Sequence, residues 1–158
     1  MIAFNLYMDR RLTRNGMRGV TLLELLVVMV IIGILAAIGV PSYRRYLIRS
    51  QRSEAKIALL QLQTAQEKRY LQSNAYTTDI TGLPTAAIPG LGLPDRTETS
   101  KYDITVVLND GNAQSYTASA TPHTGGGQTD DAECYTFTIN ERGTRGISGT
   151  STTQACWK

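Results

Sequence analysis

Polar residues almost vanish between Val20 and Val40, where only Thr21 and Glu24 interrupt an apolar run and Leu25 to Tyr43 carries no charge. A helix rising ~1.5 Å per residue needs about this length to cross a hydrocarbon layer of ~30 Å. The run therefore predicts a membrane-spanning helix. A secretory signal has a shorter apolar core, roughly 7 to 15 residues, with no acid inside it. Gly33 and Gly39 lie within the run and Pro41 closes it. Glycine loosens a helix and proline removes a backbone donor, so these three positions predict local unwinding or a kink.

Past Pro41 the period stays helical. Ala55, Ala58, Leu59, Leu62, Ala65 and Tyr70 recur at three-to-four spacing, which predicts an amphipathic helix over 42–73 with one face on a small core. Residues 71–100 are rich in Thr, Pro and Gly and follow neither period, as an ordered variable loop would. The period then falls to two. Tyr102, Ile104, Val106 and Leu108 alternate with Asp103, Thr105, Val107 and Asn109, and Asp110-Gly111 marks a hairpin turn. A second strand is expected near Ser115 to Ala120 and a third over Cys134 to Asn140. The whole pattern is that of an α+β chain: a long N-terminal helix, its first half protruding and its second half packed on three or four antiparallel strands across 101–140.

Charge looks informative until it is placed along the chain. The 158 residues suit one compact unit with an appendage, and the net charge of +3 with pI near 9.0 invites a nucleic-acid reading. Residues 1–19, however, hold Arg10, Arg11, Arg14 and Arg18 against Asp9. That leader accounts for the whole excess. Residues 20–69 then carry seven basic and three acidic side chains, and residues 70–158 five and nine. Nonspecific nucleic-acid capture depends on basic groups that release counterions, so a nucleic-acid partner is not expected. Arg44, Arg45, Arg49 and Arg52, just past the span, read as snorkelling at a membrane boundary.

Arginines flank the span on both sides, so the positive-inside rule nearly ties. The two cysteines, Cys134 and Cys156, both come late. A disulfide between them would persist only in an oxidising compartment, which places the C-terminal part outside the cytoplasm. The alternative is a pair of buried thiols in a cytosolic domain. A bridge would close a loop of some twenty residues and contribute ~3 kcal/mol in the chain-entropy model.

Glu24 raises the sharpest question, because a carboxylate deep in a bilayer costs ~2.5 to 3.5 kcal/mol when unpaired. Its cation must be Arg18, a group on another chain, or an amine made by cutting the backbone. Cleavage between Gly19 and Val20 would expose an α-amine four residues before Glu24, roughly 6 Å along a helix. Packed copies could then pair Glu24 of one with the amine of the next, fixing their stagger.

Behind its basic leader, Gly19-Val20-Thr21-Leu22-Leu23-Glu24-Leu25-Leu26 resembles the class III signal of type IV prepilins. The resemblance implies the type IV pilin fold, cleavage after Gly19 by the prepilin peptidase (leaving 1–19 as a removed leader), methylation of the Val20 amine, and polymerisation into a pilus. It implies a single-pass protein of the bacterial inner membrane with its head, residues 42–158, in the periplasm, anchored by 20–41 and later carried on an extracellular filament. Its partners would be other pilins, the peptidase, and the inner-membrane assembly platform with its motor. Val20 stands where Phe is commoner, and nineteen residues make a long leader; a start at Met8 would shorten it. In this family the stretch corresponding to Gly33 through Pro41 can lose helicity in the filament, and two late cysteines bound a D-region, here 134–156.

The stalk ending "RYLQSNAYTT" and the tail "ACWK" are most similar to PilE-like minor pilins, which implies a part in pilus biogenesis, twitching motility and adhesion. Type II secretion pseudopilins share the signal and are the main alternative; a DNA- or surface-binding pilin module is another. Some pseudopilins hold calcium near the C-terminus, but Asp130, Asp131 and Glu133 alone fall short of the six or more oxygens calcium takes. They read as a solvated acidic loop, with no metal expected. The single histidine, His123 in "TPHTGGG", has no triad or zinc spacing and reads as a solvated loop residue. The triple glycine lacks the Lys-Ser/Thr of a phosphate loop. Neither an enzyme nor a cofactor is expected.

Overall fold

The computed structural model describes residues 19–86, 89–109, 111 and 113–158. The leader up to Arg18, with its alternative start at Met8, and Asp110 of the expected hairpin turn lie outside the described residues. Helix α1 (Leu22–Ser73) is followed by β1 (Tyr102–Leu108), β2 (Tyr116–Pro122), β3 (Phe137–Asn140), β4 (Arg145–Ile147) and a short α2 (Thr153–Cys156). The chain divides into two compact units, Met1–Val40 and Pro41–Lys158.

In the first unit the helix starts with a cap. The Thr21 hydroxyl accepts the Glu24 N–H at 3.1 Å, and the Thr21 carbonyl accepts the Leu25 N–H at 3.2 Å. Thr at the cap with Glu three residues on is the capping-box pattern, which satisfies donors that a helix start leaves free. Every side chain from 19 to 40 is exposed. Helical assignment continues through Gly33, Gly39 and Pro41 without a break, and the division between units falls at Pro41.

The second unit is built on a face of α1 and one sheet. Ala55, Leu59, Leu62 and Gln66 are buried on α1, at the spacing that aligns residues on one side of a helix. The three apolar ones share a core with Tyr102, Ile104, Val106, Tyr116, Ala118, Ala120, Phe137 and Ile139, the alternate residues of three strands. Gln66 is polar yet fully buried. Its side chain donates to the Thr77 carbonyl at 2.6 Å and accepts the Thr77 N–H at 3.1 Å, so both ends of the amide are satisfied where an unpaired one would be costly. The helix stops because Asn74 turns left-handed (φ 52°) and returns its N–H to the Tyr70 carbonyl at 2.8 Å, a conformation asparagine tolerates.

The sheet is antiparallel in the order β1-β2-β3-β4. Its strands differ in their bounds from the sequence expectation. The Asn109 N–H bonds the Ser115 carbonyl at 3.0 Å, so Ser115 belongs to the turn and β2 runs on to Pro122, opposite Tyr102. Strand β3 begins at Phe137 because the residues before it bond elsewhere: the Cys134 N–H goes to the Asp131 carboxylate, and the Glu133 carbonyl accepts from Ser151. Residues 91–97 line the free edge of β1, where the Ile104 N–H meets the Asp95 carbonyl at 2.7 Å and Arg96 bridges Asp103.

Candidate functional site

Two regions carry the chemistry. The first is the N-terminal stretch of α1. Leu22 and Leu23 are 85% and 73% exposed, and the apolar residues that follow to Val40 remain open. Glu24 is the one carboxylate among residues 22–40, and it sits in the first turn of the helix, where the helix dipole favours a negative charge. Added Cβ atoms at Gly19, Gly33 and Gly39 would meet nothing within 4 Å. Gly19 and Val20 precede the helix, and Glu24 lies in its first turn. The hydrogen bond from Glu24 to Thr21 was missed by sequence reasoning, although the Thr-x-x-Glu spacing was there to signal it.

The second region lies within the head, where arginines of α1 meet the acidic loop. Both oxygens of Asp131 accept from Arg52, through Nε and Nη2, at 2.7 Å each. Arg52 also reaches Glu133 at 2.8 Å, Arg49 approaches Glu133 at 3.6 Å, and Arg44 meets Asp130 at 2.9 Å. These contacts correct one expectation. Asp131 is buried, with 1% of its side chain exposed, so it is a structural anion and not a solvated one. Arg52 is largely covered by this pairing, whereas Arg44 and Arg49 face carboxylates while remaining exposed. The hydrogen bond from Arg52, and then its charge, hold the Glu133 carboxyl below its usual range, against a smaller effect of burial. Burial opposes the charge on Arg52, but bonds to Asp131 and Glu133 raise its pKa overall. Among the described residues no cluster of His, Cys, Asp or Glu is placed to hold a metal.

The loop is fastened at its other end. Cys134 and Cys156 form a disulfide with their Cα atoms 5.8 Å apart. Lys56 on α1 donates to the terminal Lys158 oxygen at 2.5 Å, and Arg145 lies 4.9 Å above the Trp157 ring, a cation–π distance. Trp157 in turn donates to the Gly146 carbonyl at 3.1 Å. Burial, then repulsion from Arg52 and Arg145, lowers the Lys56 pKa. Lys56 and Arg145 therefore stand close enough to repel each other, beside the tail that the disulfide fastens.

His123 also departs from expectation. Its Nδ1 lies 2.8 Å from Asp103, and Arg96 binds the same carboxylate at 2.8 Å. The His123 bond, with a smaller contribution from Arg96, keeps Asp103 below the usual carboxylate range. His123 therefore orders the end of β2 against β1. An open groove of about 540 Å³ lies between α1 and residues 93–98, with Ile57, Ala58, Leu62, Leu93 and Ile104 on its walls.

The chain thus contains an exposed apolar helical stretch and a disulfide-closed head built on an antiparallel sheet. Residues 14–40 match the family model described as the prokaryotic N-terminal methylation motif, and residues 41–138 match the one described as type IV minor pilin ComP, DNA uptake sequence receptor. The chain belongs to this family of type IV minor pilins. Pilins are structural proteins and not enzymes. Among similar proteins, the type IV major pilin protein PilA of Myxococcus xanthus is 47% identical over 60 residues, 38% of this chain and 27% of the relative. A fimbrial protein of Pseudomonas aeruginosa is 41% identical over 67 residues, 42% and 44% of the two chains. The chain thus spans less than half the length of these curated relatives. A type IV pilin of Shewanella oneidensis superposes with a TM-score of 0.45 at 19% identity, covering 70% of this chain and 98% of that one. The Neisseria meningitidis non-core minor pilin PilV gives 0.46 at 21%, covering 66% and 90%.

Proposed function

We propose that this pilin is anchored in the inner membrane by its apolar helix, loses its leader between Gly19 and Val20 to the prepilin peptidase, is methylated on the Val20 amine, and is then drawn into a type IV pilus by the assembly platform. In the filament Glu24 pairs with the terminal amine of a neighbouring subunit, so that apolar helices stack with one stagger. The stretch from Gly33 to Pro41 is where the helix would unwind as the filament packs or extends. As a minor pilin it supports pilus assembly, twitching motility and adhesion. The observation that carries this reading is the uncovered apolar surface from Leu22 to Val40 with one carboxylate near its start. Comparing wild type and Glu24→Ala in sheared filaments tests it: the variant should be processed yet nearly absent from filaments. Equal incorporation would overturn the pairing.

A second reading, DNA capture by the head, is favoured by the match of residues 41–138 to a family whose description includes a DNA uptake sequence receptor. Residues 41–158 carry twelve Lys/Arg against eleven Asp/Glu, too balanced for strong nonspecific binding, which rises with each phosphate neutralised. Sequence is read by contacts to base edges while phosphate contacts hold the register, and Lys56 and Arg145 are candidate cations for such contacts. Titrating DNA of several sequences across salt concentrations tests this: selective, salt-dependent binding supports it, and no binding to any sequence removes it.

A further inference from the structure

Four arginines follow the apolar run, and three of them are ion-paired within the head: Arg44 with Asp130, Arg49 with Glu133, and Arg52 with Asp131 and Glu133. Among the described residues Arg45 has no carboxylate. Its Nε donates only to the Pro41 carbonyl at 3.4 Å, one turn back on its own helix. On either side of it in sequence stand Tyr43 and Tyr46, 63% and 69% exposed, and neither packs on another ring among the described residues. We propose that Tyr43, Arg45 and Tyr46 form a collar that binds phospholipid headgroups of the leaflet on the head's side, with Arg45 on the phosphodiester and the tyrosine rings at the ester level. This rests on the reading that the chain is anchored in a membrane by its apolar helix.

Position and chemistry agree. Residues 22–40 span about 28 Å at the helical rise, which fills the hydrocarbon layer. Tyr43, Arg45 and Tyr46 follow that run in sequence within six residues of Val40, where a spanning segment meets the polar layer of a bilayer. Around the helix axis, at about 100° per residue, the tyrosines are about 60° apart and Arg45 lies about 100° from the nearer one. The three side chains therefore share an arc of about 160° on one half of the helix. Guanidinium forks match phosphate oxygens, and tyrosine favours the interface, where its ring is dry and its hydroxyl wet. The other three arginines cannot take this part without leaving carboxylates behind.

The test uses the full chain in vesicles of phosphatidylcholine and phosphatidylglycerol carrying bromine at shallow or deep acyl positions. Trp157 is the only native tryptophan and sets the baseline. The Ile31→Trp variant reports whether the helix is inserted, and the Tyr46→Trp variant reports the collar. Strong deep quenching for Ile31→Trp and strong shallow quenching for Tyr46→Trp are expected. In parallel, phosphorus dephasing of labelled arginine carbons should fall measurably in Arg45→Gln, the remainder coming from arginines of the leader. Quenching at Ile31→Trp without any at Tyr46→Trp, or dephasing unchanged in Arg45→Gln, overturns the collar while leaving the anchor intact. Quenching at neither position overturns both.

Discussion

Arg52 of α1 and Asp131 of the C-terminal loop, 79 residues apart, face each other fork to fork, with both carboxylate oxygens at 2.7 Å. Asp131 also accepts the Cys134 N–H at 3.2 Å, so one buried acid ties the helix, the loop and the disulfide. Removing one member of a buried pair leaves an uncompensated charge and costs about 3 to 5 kcal/mol. Arg52→Ala should lower the unfolding free energy of the head by about that amount in a urea titration. Arg44→Ala, whose pair is exposed on both sides, should cost well under ~1 kcal/mol. Equal losses for the two would contradict this assignment.

Acid should loosen the same loop. The folded Glu133 and Asp103 carboxyls both lie below their usual range, chiefly through hydrogen bonds from Arg52 and His123 respectively. A depressed folded pKa gives stability above the unfolded value, near ~4 for carboxyls, and loses it as pH falls through the folded value. Melting temperature should therefore drop as pH is lowered from about 4, and Glu133→Gln should flatten that slope. At the alkaline end the sign reverses. Burial, then the bond to Glu67, pushes Tyr76 from 10.0 up to about 12, so stability present below pH 10 is lost as pH climbs through that interval, and Tyr76→Phe should lessen the loss.

Reduction of the disulfide makes a third check. Cys134 and Cys156 are 22 residues apart, and opening a loop of that size should cost about 3 kcal/mol. Denaturant titrations with and without reductant measure the difference. A change near zero would mean that the Lys56 contact to the C-terminus and the Trp157 packing hold the tail unaided.

What could be read from the sequence was whatever depends on near neighbours. The alternation from Tyr102 to Leu108 specifies β1 because a strand sends successive side chains to opposite faces, and Ala55, Leu59 and Leu62 mark the buried face of α1 through the helical period. Gln66 escaped that pattern because a polar residue on an apolar face looks like an error until Thr77 is seen to satisfy it. The pairing of Arg52 with Asp131 escaped because no local period relates residues so far apart. His123 looked solvated for the same reason: its partner, Asp103, lies on another strand. Strand β4, three residues long, is too short for any period to register.

Processing is expected to hinge on a small residue before the cut. A Cβ at Gly19 would meet nothing within 4 Å in this chain, so Gly19→Arg should leave the fold alone while blocking the peptidase. Intact mass of the membrane-bound protein checks this. The variant should keep its leader, and a mature mass equal to wild type would place the cut elsewhere.

The most direct measurement is the intact mass and N-terminal sequence of this chain recovered from sheared, washed pili. The expected result is a chain that co-purifies with filaments and begins at N-methylated Val20. A chain that retains residues 1–19, or that is found only in the membrane as a lone monomer, would contradict assembly through a freed amine and Glu24.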